Sequence, residues 1–156
     1  MSSAERQQGI TVDVNAIYTQ LQALAEEITR LRGIEAQLRA MLDSVRRAKD
    51  TLDAFVRNGR GADILIPLDP QMNGFGYAKV GDSERFIVGL GLGYFAEVDA
   101  SRGLDILSSK ERALINQLEI LGKSLSEYMQ LYQQYRQVLA SILAAGARSG
   151  SPRREG

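Results

Sequence analysis

The chain has 156 residues, 44% of them hydrophobic and 24% charged, which suits a folded domain rather than a disordered polymer. Its 19 basic and 19 acidic residues cancel, so charge gives no case for nucleic acid as a partner. It contains neither cysteine nor histidine, which removes disulfides, thiolate chemistry, the commonest general base and the commonest transition-metal ligand. No enzymatic activity and no cofactor are expected on that basis.

No apolar run approaches the roughly 18 residues that would cross a bilayer. The N-terminal residues Met1-Ser2-Ser3-Ala4-Glu5-Arg6 lack a signal-type apolar core. The expectation is a cytoplasmic chain without a membrane partner. Residues 1–11 are polar and read as a flexible N-terminus.

A first long helix is predicted from about residue 12 to 57. Its apolar residues Val14, Ile17, Leu21, Leu24, Ile28 and Leu31, then Leu38, Leu42, Val45, Leu52 and Val56, recur at alternating three- and four-residue spacings. That spacing is the seam of a coiled coil. Thr11 or Asp13 can cap its start, and Asn58-Gly59 suits the left-handed residue just past its end. At 1.5 Å per residue such a helix is roughly 65 Å long. No small globule can surround it, so it needs a second long helix along its length.

The middle of the chain changes character. Residues 62–68, 75–80, 85–90 and 94–98 read as short strands separated by turn residues. They form two β-hairpins, with Phe75, Tyr77 and Lys79 on one face of the second strand. Pro67 cannot donate to a ladder, so the first strand is an edge or ends there. Four short strands bury little by themselves, which is the physical reason to expect oligomerisation. Gly89-x-Gly91-x-Gly93 lacks the spacing and the following helix of a dinucleotide fingerprint and is assigned to a tight hairpin.

The second helix carries Leu104, Leu107, Leu114, Leu118, Leu121, Leu125, Tyr128, Tyr132, Tyr135, Leu139 and Ile142 in the same repeat. Asp99 or Ser101 can start it; Ser108 with Glu111 offers a later capping box. The helix should fade near Ala144-Ala145-Gly146, leaving residues 145–156 as a disordered basic tail. The fold class is α+β: a long antiparallel two-helix coiled coil over residues 12–144, with two β-hairpins at 58–100 inserted between the helices.

Three polar residues enter the seam: Glu35, Lys49 and Glu111. Polar groups there cost stability and fix register. In an antiparallel hairpin Lys49 and Glu111 fall within about one layer, where they either pair or reach separately to water. Gly33 and Gly122 interrupt the helices and are either bending points or glycines tolerated on an exposed face. At the open end of the coil no sheet covers Ile10, Val12, Val14, Ile17 and Leu21 from the first helix, or Leu139, Ile142 and Leu143 from the second. Frayed apolar turns there are candidate binding sites for other apolar chains.

Helix, two hairpins, helix, without cysteine, resembles the alpha-type subunit of prefoldin. The specific segments are Ile64-Leu65-Ile66-Pro67-Leu68, Phe75-Gly76-Tyr77-Ala78-Lys79, and residues 86–98 with their Val-Gly-x-Gly-x-Gly-Tyr run. The resemblance spans residues 14–143. It implies a hexamer of two alpha-type and four beta-type subunits joined through the hairpins. Ile64, Leu65, Ile66, Phe75, Tyr77, Phe86, Val88, Leu90, Tyr94 and Phe95 would form that platform. It further implies an ATP-independent holdase that grips unfolded polypeptides at its coiled-coil tips and passes them to a group II chaperonin. The residues alone also admit a coiled-coil spacer or tether with fixed partners.

Overall fold

The structure is a computed structural model that describes residues 13–81 and 84–149. The elements follow in the order α1 (Val14–Asn58), β1 (Asp63–Pro67), β2 (Phe75–Lys79), β3 (Arg85–Gly91), β4 (Tyr94–Asp99) and α2 (Ala100–Ser149). Thr11, one of the two candidate caps, lies outside the described residues. Asp13 caps α1: its Oδ1 accepts the amide of Asn15 at 2.9 Å, satisfying one of the helix's orphan donors. The helix stops at Gly59, whose φ of 72° is left-handed and whose N–H closes on the Phe55 carbonyl at 3.1 Å.

The earlier start holds for α2. Asp99 Oδ1 accepts the Arg102 amide at 2.7 Å, so the last strand residue is also the helix cap. The far end differs from expectation, because α2 continues past Gly146 to Ser149. A helical glycine costs about 1 kcal/mol against alanine, and no proline follows within the helix to enforce a stop.

The chain divides into two compact units, residues 36–119 and residues 1–35 with 120–156. In the first, two separate two-stranded sheets form, β1–β2 and β3–β4, both antiparallel. Ile64 lies opposite Ala78 and Leu65 opposite Tyr77. Phe86 lies opposite Val98 and Val88 opposite Ala96, with an irregularity between Gly89 and Gly91. Pro67 is the last residue of β1, where its missing N–H interrupts no further ladder.

Val88 points inward onto Leu52 of α1 and Leu107 of α2, and Phe86, Val98, Leu104 and Ile106 pack around them. Phe86 also stacks on Phe55, with ring centroids 6.4 Å apart. Gly103 makes this packing possible. A Cβ there would stand 3.0 Å from Leu52 Cδ2 and 3.4 Å from Val88 Cγ2, tighter than nearly all real contacts. The small residue lets the first turn of α2 press directly onto α1 and β3. From the bulge, the Gly89 carbonyl accepts a hydrogen bond from Lys110 Nζ, tying hairpin two to the third turn of α2.

Leu52 with Leu107, and Lys49 with Glu111, show the helix segments of this unit running antiparallel. Lys49 Nζ lies 2.6 Å from Glu111 Oε2, so the two pair rather than reach separately to water, and Arg46 Nε adds a second contact at 2.8 Å to Oε1. Both oxygens of Glu111 are thereby satisfied in a half-buried setting. Hydrogen bonds from Arg46 and then Lys49 hold its pKa below the ordinary glutamate value.

The other unit buries Ile17, Leu21, Leu24, Ile28 and Leu31 of α1, with Leu121 and Leu125 of α2. Arg32 of α1 reaches Met129 Sδ of α2. Gly33 and Gly122 are both exposed, and a Cβ at either would meet nothing within 4 Å. The helices pass both positions without a break.

These contacts separate the glycines by effect. Gly33→Ala and Gly122→Ala should each raise stability by about 1 kcal/mol in thermal unfolding, through helix propensity alone. Gly103→Val should lower it by about 1–3 kcal/mol, because the added methyls have no space.

Glu111 should also make stability pH-dependent. Its pKa is lower folded than unfolded, so its contribution is complete above the unfolded value of about 4.3. That contribution is lost as the pH falls through the depressed folded value. The stability gap between wild type and Glu111→Gln, followed by thermal unfolding, should therefore be constant near neutrality and close in acid.

Candidate functional site

Two surfaces on the chain expose apolar side chains where water would favour polar ones. The first is on the hairpins. Direct cross-strand partners share a face, so Leu65, Tyr77, Pro67 and Phe75 lie together on one side of β1–β2. Leu65 and Phe75 are exposed and Tyr77 is 91% exposed. Asp63 and Lys79 close the same face with an ion pair of 2.8 Å. Ile66 on the opposite face is exposed too, and Ile64 is half-buried.

In the second hairpin the alternation separates two roles. Phe86 and Val88, assigned from the sequence to the assembly surface, face the helices and pack into the chain's own core. Ile87, between them, is 74% exposed. Phe95 lies on that outer face beside Gly89, its ring 3.4 Å from where a glycine Cβ would stand. Tyr94 and Leu90 are exposed near the turn. An ion pair from Arg85 to Glu97, at 3.0 Å, borders the patch.

The turn itself is made by Leu92 and Gly93, with φ of 52° and 81°. Positive φ at both central residues is the type I′ pattern, which normally takes Asn, Asp or Gly first. A leucine there is strained and 99% exposed, so nothing within the chain repays its position. Leu68 and Met72, at the other hairpin's connection, are exposed as well. Asp69 organises that connection by accepting the amides of Gln71 and Asn73 at 3.0 and 2.9 Å. Ile87, Leu92, Leu68 and Met72 were not among the candidate assembly residues: the apolar run around Ile87 does not reveal which residues turn outward, and the other three lie in connections, where no strand alternation applies.

The second surface is at the start of α1 and the end of α2. Ile10 and Val12 lie outside the described residues. Ile17 and Leu21 are buried in the seam rather than exposed. Val14, Leu139 and Ile142 are half-buried, and Leu143 is exposed. The exposed apolar residues that accompany Leu143 are Tyr18, Met129, Leu131 and Val138, which stand off the seam. The physical reason is the persistence of α2 to Ser149: the seam stays closed, and off-seam residues face water instead.

Electrostatics at both surfaces is sparse. Among the described residues no group of histidine, cysteine, aspartate or glutamate could hold a metal ion. The carboxylate of Glu27 is held below its ordinary pKa by its hydrogen bond to Arg30, a pairing along one helix face. The arrangement suits association with other polypeptide surfaces.

Comparison with known proteins agrees in scale and order of elements. The family model described as Prefoldin subunit matches residues 17–145. Prefoldin subunit alpha of Aeropyrum pernix is 34% identical over 142 residues, covering 90% of this chain and 93% of that protein. Prefoldin subunit alpha of Metallosphaera sedula is 29% identical over 138 residues, covering 87% and 93%. Among solved structures, filamentous PFD from Methanocaldococcus jannaschii superposes with a TM-score of 0.65 at 20% identity, covering 80% of this chain and 98% of that one. The two long helices, the paired hairpins between them and these matches place the chain in the prefoldin family, as a chaperone subunit of alpha type.

Proposed function

We propose that the chain assembles through its hairpins with beta-type subunits, two alpha with four beta, and holds unfolded polypeptides at the paired chain-terminal ends of its helices. Holding needs no nucleotide, and the held chain passes to a group II chaperonin. The work is cytoplasmic; among the described residues no helix is long and apolar enough to cross a membrane.

The observation that carries this reading is the exposed outer side of the hairpins. Leu65, Phe75, Tyr77, Ile87, Tyr94 and Phe95 are all exposed on strands too short to be stable sheets alone, and Leu92 is exposed at the turn between two of them. Covering each such side chain contributes about 1.5–3 kcal/mol, so partner strands have ample driving force. Residues 58–100 are accordingly the assembly platform. Exposed Leu143 and half-buried Val14, Leu139 and Ile142 supply apolar surface at the helix ends.

Mixing the chain with a beta-type subunit should yield a hexamer by native mass spectrometry. That complex should suppress aggregation of unrelated unfolded proteins without nucleotide. Tyr77→Ser with Leu92→Ser should weaken assembly by at least tenfold while leaving α-helical content unchanged. Leu139→Ser with Leu143→Ser should leave the hexamer mass intact and reduce suppression severalfold. A complex that binds one partner stoichiometrically and protects no unfolded protein would identify a tether instead.

A further inference from the structure

The back of α2 in the unit formed by residues 1–35 and 120–156 has an unusual chemistry. Residues 128–147 contain a single charged residue, Arg136, and residues 14–25 of α1 contain none. The same chain places eight charged residues between 36 and 57, so its exposed helix faces are not generally neutral. A water-facing helix surface ordinarily carries acidic and basic residues in i,i+4 pairs.

In place of charge stand glutamines. Gln130, Gln133, Gln134 and Gln137 are all exposed. They recur at i, i+3, i+4 and i+7, which sets them on one face of the helix. Tyr128, Tyr132, Tyr135, Leu139 and Ile142, half-buried, mark the opposite, seam-facing side. Exposed Leu131 and Val138 flank the glutamine row on one edge and Met129 flanks it on the other. Two shallow grooves run along the Met129 edge of the row, one lined by Gln133, Arg136, Gln137 and Ala140, the other including Met129, Gln130, Gln133 and Glu35 of α1. Among the described residues these four side-chain amides make no hydrogen bond within the chain, whereas Gln22 spends its amide on Glu26 at 3.3 Å.

A side-chain amide offers both donors and an acceptor. It matches the unpaired N–H and C=O groups of an unfolded main chain, which alternate along every sequence. A carboxylate or ammonium could serve only one of them, and would discriminate among clients by charge. Apolar flanks on both sides of an amide row suit a segment whose side chains are apolar and whose backbone is unsatisfied.

Resting on the holding role proposed above, we propose that the glutamine row of α2 binds the main-chain amides of an uncharged, apolar segment of an unfolded polypeptide. The Leu131, Val138 and Met129 flanks receive that segment's side chains. Holding is therefore not confined to the last turns of the helices.

The test uses the assembled complex with beta-type subunits and two fluorescent probes. One is a short apolar, uncharged peptide; the other is the same peptide N-methylated at alternate backbone amides, which keeps side chains and removes donors. Wild type should bind the unmethylated peptide about tenfold more tightly, the worth of one or two net hydrogen bonds. In Gln133→Leu/Gln137→Leu that preference should fall towards unity even though the surface is more apolar. Gln133→Lys/Gln137→Lys removes the amide acceptors that the peptide N–H groups need, without adding apolar surface, and should lose the preference too, so the test survives if the leucine variant assembles poorly. An undiminished preference in both variants, or no preference in wild type while both peptides bind, overturns the glutamine assignment and spares the holding role. Failure of wild type to bind either peptide overturns both.

Discussion

The close approach of three elements at Gly103 is the constraint from which the rest of the first unit follows. A side chain at that position would push α2 away from Leu52 and Val88. With only a hydrogen there, the first turn of α2 is fixed against α1 at once, and the register of the antiparallel pair is set at its root. Two turns further on, Glu111 then meets Arg46 and Lys49. The ion pairs confirm the register; they do not create it, since Coulomb attraction between partly exposed groups is weak beside apolar packing. Their contribution lies more in penalising a slipped register, which would leave a seam carboxylate without donors.

The same contact decides the chemistry of the second hairpin. Once Val88 is committed to Leu52 and Leu107, strand geometry forces Ile87 outward. The hairpin therefore has an inner face satisfied by its own helices and an outer face that is apolar and uncovered. The first hairpin has no such anchor in the buried cluster, and its Leu65–Tyr77 face is open as well. Ion pairs at Asp63–Lys79 and Arg85–Glu97 border these patches. Borders of that kind leave apolar area at the centre and polar groups at the rim, the anatomy of a protein interface.

Much of this was legible in the sequence because it depends on local rules. The heptad spacing marked both helices, Asp13, Gly59 and Asp99 marked their ends, and turn residues marked the hairpins. Lys49 and Glu111 were found by counting layers back from the closed end. Arg46 was not, since it lies off the seam and reaches Glu111 only by its length. The orientation of β3 was hidden because Phe86, Ile87, Val88 and Leu90 are all apolar, and period two cannot be phased in such a run. The importance of Gly103 was hidden for a related reason: a glycine near a helix start reads as a weak helix former, and only tertiary packing shows what it admits. The burial of Ile17 and Leu21 turned on whether the helix ends fray, which heptad counting does not address.

Holding without nucleotide, as proposed above, requires release by thermal dissociation, which limits how strong any one contact can be. Buried apolar anchors and charge-paired hydrogen bonds give slow release. Neutral amides in water give small net energies each, because they exchange one set of hydrogen bonds for another. A row of such amides between narrow apolar flanks binds through many weak contacts, each replaceable by water. The neutral end of α2 fits that requirement better than a deeper apolar cleft would. It also accounts for the division of chemistry along the sequence. Large exposed aromatics and leucines are concentrated on the hairpins, proposed above to assemble lastingly, while tyrosine, glutamine and small residues dominate the helix segment proposed to hold and release.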